Sequence, residues 1–238
     1  LWRPEDKPNS STKEGGAPVK LSQLLSDIEV LECTADGDME IGDISYDSRK
    51  VRPGTAFVAV EGYVTDGHKY IGSAVKNGAA VVICQKKPEE EVPYVLVKDS
   101  RLALAKLSST FFGHPSRQLK IIGVTGTNGK TTITHLVKDI IEKATGEKAG
   151  LIGTNENIVG DKVYVAERTT PESYDLHRLF KEMVDSGCKY AVMEVSSHAL
   201  VTGRVEGVRF EVGVFTNLTQ DHLDFHKTME EYRDAKAR

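Results

Sequence analysis

Apolar residues fall in short blocks along this chain, and the spacing within each block predicts an element. Continuous apolar runs predict buried strands at 39–44, 55–60, 79–84, 92–97, 121–124, 149–153, 190–195 and 212–217. Other apolar residues recur at helical spacing. They predict a short helix from 20 to 25, one through Ile71, Ala74 and Val75, and one over 101–112. Ile133, Leu136, Val137, Ile140 and Ile141 predict a fourth helix. Leu176, Leu179, Phe180 and Val184 mark the apolar face of a fifth, with Pro171 at its first position. Pro53-Gly54, Asn77-Gly78, Gly113-His114-Pro115 and Ser186-Gly187 close segments, and 154–166 holds loop and strand pieces. Strands alternating with helices predict an α/β fold with a mainly parallel sheet. The pattern divides into a compact α/β unit over 20–117 and a second unit over 118–238. Residues 1–19, rich in Pro, Gly, Ser and charge, have little to bury and predict a disordered tail; Trp2 lies there.

Composition narrows the class. The 238 residues suffice for one large or two ordinary domains, and 39% hydrophobic with 28% charged residues describes a soluble globular protein. A net charge of −4 gives no bulk basic signal for nucleic acid. No apolar run approaches the roughly 20 residues that span a bilayer. The start lacks a signal-peptide apolar core. Cys33, Cys84 and Cys188 are far apart and odd in number, so no disulfide framework or metal spacing appears and a reducing cytoplasm is expected.

The chemistry concentrates at 119–137. A buried strand runs into Gly126-Thr127-Asn128-Gly129-Lys130-Thr131-Thr132, and a helix follows. This is the layout of a phosphate-binding loop. Glycines let backbone N–H groups close around a polyphosphate, and the helix start favours an anion. Lys130 reaches the terminal phosphates, and Thr131 offers its hydroxyl to Mg²⁺. The strict G-x-x-x-x-G-K-[ST] pattern fails by one place: position 124 is Val124, and the glycines stand at 123 and 126. Glu194, at the C-terminal end of the 190–195 strand, fits the position of a Mg²⁺-holding carboxylate. Asp47, Ser48 and Arg49 follow a strand end, where they read either as a polar turn or as ligand groups.

The loop resembles that of the Mur ligase family, the ATP-dependent amide-forming ligases of peptidoglycan precursor synthesis. The rest of the chain extends the likeness. Y-D-S-R-x-V-x-P-G at 46–54, F-V-A-x-x-G and D-G-H resemble the family's uridine-nucleotide-binding domain. T-T-P, M-E-V-S-S-H-x-L and N-L-T-x-D-H-L-D resemble its central domain, most like that of the tripeptide synthetases. The resemblance implies a small UDP-binding α/β domain followed by part of an ATP-binding central domain. It implies that ATP phosphorylates the terminal carboxylate of UDP-MurNAc-L-Ala-D-Glu and that an amino acid's amine attacks the acyl phosphate.

By the same resemblance, Tyr46, Ser48, Tyr63, Val64 and Thr65 hold the UDP-MurNAc portion. Thr169, Thr170, Ser196, Thr202 and Arg204 hold the sugar and peptide side. Arg204 suits a D-Glu carboxylate because guanidinium binds carboxylate bidentately. Arg168 and Thr202 stand where some members carry Asn and Gln. Residues 126–132 bind ATP; Thr131, Glu194, His222 and Lys236 form the Mg²⁺ site, and Lys130, Glu194, His222 and Lys236 are the catalytic set. A histidine is an unusual Mg²⁺ ligand and enters on family precedent. His198 reads either as structural or as functional. Lys236 reads on pattern as a helix-surface lysine, but Y-x-x-A-K resembles the family's lysine that CO₂ carbamylates. The implied protein is a cytoplasmic monomer with no nucleic-acid or membrane partner.

The likeness covers 20–238 and only the front half of the family's length. The chain alone is therefore expected not to turn over, and the choice between meso-diaminopimelate and L-lysine lies outside it. Two alternatives stay open. One is a folylpolyglutamate synthetase-type ligase, which typically has no UDP-binding domain before the phosphate loop and against which Y-D-S-R argues. The other is a non-catalytic relative that keeps the fold as a scaffold, against which intact Lys130, Glu194 and His222 argue.

Overall fold

A computed structural model describes residues 17–62 and 65–238. The front unit contains β1 (Val19–Lys20), α1 (Leu21–Leu24), β2 (Val30–Cys33), β3 (Glu40–Ile41), β4 (Asp43–Ser45) and β5 (Thr55–Val58). It continues through α2 (Ile71–Lys76), β6 (Ala79–Cys84), β7 (Tyr94–Val97) and α3 (Ser100–Phe111). The strands β4, β5, β6 and β7 are parallel neighbours, and β2 closes the far edge antiparallel, giving the order β2-β7-β6-β5-β4. Side chains alternate across this sheet, as the pleat requires. Ile44, Ala56, Val58, Val81, Ile83 and Val95 pack beneath α1 and α3, while Phe57, Ala59, Val82 and Cys84 meet Ile71 and Ala74 of α2.

The second unit contains β8 (Lys120–Thr125), α4 (Lys130–Thr145), β9 (Ala149–Ile152), β10 (Glu156–Val159) and β11 (Lys162–Val165). Then come α5 (Ser173–Asp185), β12 (Tyr190–Glu194), α6 (Ser197–Val201), β13 (Phe210–Phe215), α7 (Leu223–His226) and α8 (Met229–Lys236). The order is β11-β10-β9-β12-β8-β13, with β9, β12, β8 and β13 parallel and the β10–β11 hairpin antiparallel. Parallel strands are covered on both faces, which is why they read as unbroken apolar runs. Ile121, Ala191 and Met193 face α5, whereas Ile122, Val124 and Val192 face α4.

Several expectations need correction. The run at 39–44 is two short strands, because Gly42 between them turns its N–H to the Gly54 carbonyl at 3.0 Å. Val19, placed in the tail, pairs with Ile41; Trp2 lies outside the described residues. Strand β2 went unpredicted, since its half-exposed alternation at an edge carries no apolar run. Pro171 precedes the α5 cap, Glu172, instead of opening the helix. The helix expected from Ile133, Leu136, Val137, Ile140 and Ile141 is α4; there Ile133, Val137 and Ile141 meet the sheet, and Leu136 and Ile140 are 55% and 62% exposed. The apolar stripe is wider than the sheet surface beneath it.

The two units meet through side chains. Tyr46 donates to Asp175 at 2.6 Å, Tyr174 donates to Asp43, and Phe112 packs on the Tyr174 ring with centroids 5.3 Å apart. Burial first, and the facing carboxylates next, hold both phenols far above their usual range, so they remain donors.

One core group sets an acid limit on stability. His177 on α5 is fully buried, and neither ring nitrogen has a hydrogen-bond partner among the described residues. Burial pushes its pKa down from 6.5 to about 4; the Glu206 backbone opposes this, from a position too poor for a hydrogen bond. The unfolded chain therefore binds the proton that the folded chain refuses. Stability is full above pH 6.5 and falls as pH drops toward 4, by roughly 3 kcal/mol from this group. His177→Leu should remove that part of the acid sensitivity and change stability little at pH 7.5. Denaturant melts of both proteins from pH 4 to 7.5 check it; parallel pH profiles would refute it.

Candidate functional site

Strand β8 delivers the loop 126–129 to the start of α4. Gly126 has φ +137° and Gly129 φ +86°, a region that disfavours side chains. A Cβ at Gly126 would lie 1.9 Å from Thr216 Oγ1, so the glycine admits a crossing strand end. This explains the departure from the strict motif: Val124 is a buried strand residue, and the needed glycine is two places later. The first N–H groups of α4 have no carbonyl within their own helix, which leaves a donor cluster beside Lys130.

Glu194 ends β12 under this loop and is only 1% exposed. It accepts from Thr131 Oγ1 at 3.0 Å, from Thr154 N–H at 2.8 Å and from Thr154 Oγ1 at 3.0 Å. Gly153 makes room for it, since a Cβ there would stand 2.8 Å from the carboxylate. A buried carboxylate bonded to a loop threonine is a hard-oxygen pair suited to Mg²⁺. Among the described residues no group of three or more His, Cys, Asp and Glu is placed to hold a metal ion. His222 lies instead on the segment after β13, in left-handed backbone, with its ring 4.9 Å from His198 and 6.0 Å from Tyr232. His198 also packs on Phe225 at 4.1 Å.

Lys236 is not a surface lysine. It is 6% exposed, donates to the Gly126 carbonyl at 2.9 Å and lies 4.8 Å from the Tyr232 ring centre. The pattern on α8 hid this, because the helix packs on the loop only through Tyr232, Ala235 and Lys236. Lys130 donates to the same Gly126 carbonyl at 2.8 Å and to that of Thr127 at 2.9 Å. Burial, and then the neighbouring Lys130, pushes the Lys236 pKa down to about 8; Asp221 opposes. Burial also lowers Lys130, against Glu194 and Asp221. Thr132 is exposed in the first turn of α4.

A second group lines the junction of the units. A cleft of about 300 Å³ is bordered by Tyr46, Lys50, Asn157, Arg168, Glu172 and Arg178. Asn157 Oδ1 is buried there without a donor among the described residues. Thr170 Oγ1 donates to the Glu194 carbonyl at 2.9 Å and accepts from Ser196 N–H at 3.0 Å, tying this wall to the phosphate loop. Thr169 Oγ1 donates to Thr154 Oγ1 at 3.1 Å, because the Thr154 proton is given to Glu194. Arg204 donates to the Thr170 carbonyl at 3.2 Å, and its Nε lies 3.0 Å from Glu172, close but poorly aligned. Arg168 binds the same carboxylate at 2.6 Å. Burial lowers the Arg204 pKa, and Glu172 opposes this. Thr202 donates to the His198 carbonyl at 2.7 Å and borders a separate cleft of about 340 Å³ with Gly62, Lys98 and Arg101.

In the front unit, Ser48 is buried and its carbonyl accepts from Asn77 at 2.8 Å. Asp47 caps its own turn and pairs with Arg49 at 2.7 Å, the local-turn reading of that segment. Tyr63 and Val64 lie outside the described residues. Their flanks are joined, with Gly62 N–H donating to Thr65 O at 2.9 Å. The D-G-H residues anchor this turn. Asp66 bonds His68 Nδ1 at 2.6 Å, and His68 Nε2 accepts from Gln85 N–H at 3.0 Å, which places the ring proton on Nδ1. Sequence reasoning missed Thr154, Glu172, Asp175, Asn217 and Tyr232, which act through contacts remote in the chain. Of these, Asn217, inside N-L-T, and Tyr232, the first residue of Y-x-x-A-K, lay in recognised motifs.

Two sequence models match the chain: the Mur ligase family catalytic domain over 40–112 and the Mur ligase middle domain over 124–238. The chain is 56% identical over 223 residues to the UDP-N-acetylmuramoyl-L-alanyl-D-glutamate–2,6-diaminopimelate ligase of Clostridium botulinum. That match covers 92% of this chain and 46% of the relative. It is 52% identical to the ligase of that name from Clostridium perfringens, covering 91% and 45%. A solved structure of such a ligase superposes with TM-score 0.76 at 29% identity, covering 92% of this chain and 44% of that one. The Thermotoga maritima MurF ligase in complex with ADP gives 0.56 at 25% identity, covering 82% and 42%. The chain thus spans less than half the length of these relatives.

The Lys130–Lys236 contact makes a direct prediction. Lys130→Met should raise the Lys236 pKa above about 8 without restoring 10.5, since burial is the larger cause. Titration of the lysine side-chain NMR signals in both proteins checks this. An unchanged Lys236 pKa would show that the two ammonium groups do not interact.

Proposed function

The chain belongs to the Mur ligase family, and on that premise we propose that it is the nucleotide- and substrate-handling part of an ATP-dependent ligase. The reaction joins an amino acid to UDP-MurNAc-L-Ala-D-Glu in peptidoglycan precursor synthesis. The observation that carries the proposal is Glu194 paired with Thr131 at the foot of a glycine-built helix start. The names of the relatives support 2,6-diaminopimelate as the added amino acid. No described helix is long and apolar enough to cross a membrane.

In this reading the terminal carboxylate of the peptide attacks the γ-phosphorus of ATP, and the bond to ADP breaks. The amine then attacks the acyl carbon, phosphate leaves, and the amine gives up a proton. Positioning and charge neutralisation supply most of the first step. The N–H groups at the start of α4 and Lys130 orient the phosphates. Thr131 and Glu194, with His222 as a further ligand, would hold Mg²⁺, which neutralises phosphate charge when bound. Arg204 receives the D-Glu carboxylate, with Thr169, Thr170 and Ser196 along the same wall. Arg168 borders the same cleft, whereas Thr202 borders the separate cleft beside Gly62 and Arg101. Tyr46, Ser48, Tyr63, Val64 and Thr65 hold the UDP-sugar.

Lys236 takes the anionic role through CO₂. Its neutral amine attacks the CO₂ carbon, a C–N bond forms, and the released proton goes to solvent. The lowered pKa supports this step, because an ammonium cannot attack. The resulting carbamate reverses the charge at the position.

The test uses the protein carrying this chain at the length of its relatives. Lys130→Ala should abolish ligase turnover and keep the fold; full activity would refute the phosphate-loop assignment. Lys236→Ala should cripple turnover, with partial recovery in added acetate. Lys236→Arg should not recover, since guanidinium keeps the positive charge. Near-normal activity of Lys236→Arg would show that the carbamate is not needed.

A further inference from the structure

The segment after β13 lies along the phosphate loop and bonds to it from one side. Thr216 N–H donates to Thr125 O at 3.0 Å, and Thr216 Oγ1 donates to Asn128 O at 2.8 Å. Asn217 engages both polar groups of one residue. Its Oδ1 accepts from Asn128 N–H at 3.0 Å, and its Nδ2 donates to Asn128 O at 3.1 Å. Its own carbonyl accepts from Thr127 N–H at 3.0 Å. Thr219 and Thr127 bond reciprocally, N–H to Oγ1 at 3.0 Å and Oγ1 to O at 3.1 Å. The partners fix the orientation of the Asn217 amide, because the opposite one would face donor with donor and acceptor with acceptor.

On the other side of the loop stand the lysines. Gly126 O and Thr127 O both accept from Lys130. In a trans peptide the carbonyl of one residue and the N–H of the next point in opposite directions. The observed bonds follow that rule along the loop. Gly126 O faces the lysines and Thr127 N–H faces Asn217; Thr127 O faces Lys130 and Asn128 N–H faces Asn217. The next peptide is reversed. Asn128 O is held by Thr216 and Asn217, so Gly129 N–H must point to the lysine side. Gly129 has φ +86° and no side chain to resist a rotation of that peptide. A rotated peptide would aim a carbonyl oxygen, in place of an N–H, at the position of an anion.

We infer that Asn217 is a positioning residue that locks the Asn128–Gly129 peptide, so that the loop presents an N–H rather than a carbonyl to a bound phosphate. The inference rests on the nucleotide-binding role given to this loop under the proposed function. Asn217 acts through the backbone of residues 127–129 and touches no phosphate itself. Its side chain supplies both halves of the clamp, whereas Thr216 supplies one further donor to the same carbonyl.

The test has two arms on the same proteins. Amide hydrogen exchange followed by NMR reads the loop without any nucleotide, and Mg-ATP titration reads affinity. Asn217→Ala should expose the Asn128 amide to exchange and weaken Mg-ATP by about tenfold, the effect of losing one or two net hydrogen bonds. Thr216→Val should weaken it by a smaller factor, and the double variant by more than either. UDP binding to the front unit should stay unchanged throughout. Wild-type affinity and wild-type Asn128 protection in Asn217→Ala would overturn the inference. If Asn217→Ala loses the β8 and α5 protection that reports the fold, Thr216→Val decides the matter by the same two readouts. Wild-type protein that fails to bind Mg-ATP would refute the nucleotide role, and the exchange arm alone would then decide whether Asn217 holds the peptide.

Discussion

A methyl group at Gly126 would collide with Thr216 at 1.9 Å, and much of the second unit is arranged around that missing side chain. The close crossing brings the end of β13 onto the loop that follows β8, its parallel neighbour. From there the chain passes through Asp221 and His222 to α8, whose Tyr232 hydroxyl lies 3.2 Å from Thr127 Oγ1. The Thr127 hydroxyl gives its own proton to the Thr219 carbonyl, so Tyr232 is the donor to Thr127. Lys236 then reaches the Gly126 carbonyl from the same helix. A single backbone turn is thus held from three directions. Two lysines converge on one carbonyl; burial depresses both amines, and at Lys236 the charge of Lys130 adds to it.

The junction between the units depends on a different kind of bond. Tyr46 and Asp175, and Tyr174 and Asp43, form crossed pairs in which each unit supplies one phenol and one carboxylate. Neutral donors meeting charged acceptors give stronger bonds than neutral pairs. The two contributing residues of α5 are adjacent in sequence, so the start of one helix determines where the front sheet sits. The cleft opens beside this contact, and the Tyr46 ring forms part of its wall. The hydroxyl of Tyr46 is already spent on Asp175, so a ligand in the cleft meets the ring rather than a free donor.

Much of this was legible in the chain itself. Parallel strands buried on both faces announce themselves as apolar runs, and the loop 126–132 carries its chemistry in local order. Glu194 was legible because a strand end beside such a loop is a fixed address. What failed to show was set by partners far away in sequence. Strand β2 lies at a half-exposed edge, so its pattern has no apolar signature. Lys236 looks like any helix lysine until α8 is docked on Gly126. Asn217 carried no sign of its role, since a side-chain amide imitating a neighbouring strand needs only one residue at the right place.

The guanidinium cluster shows how the two halves of the site constrain each other electrostatically. Arg204 is largely buried, and a buried cation without a partner is strongly destabilising. Glu172 meets that need and also binds Arg168. Two guanidiniums thus share one carboxylate at this end of the cleft. The Thr170 carbonyl takes one Arg204 proton, and the Thr170 hydroxyl bridges the Glu194 carbonyl and the Ser196 N–H. A displacement of Arg204 would therefore pull on the strand end that carries Glu194, and through Glu194 on Thr131 at the start of α4. The cationic end of the cleft and the phosphate loop are joined by one short run of hydrogen bonds, so neither can shift without the other.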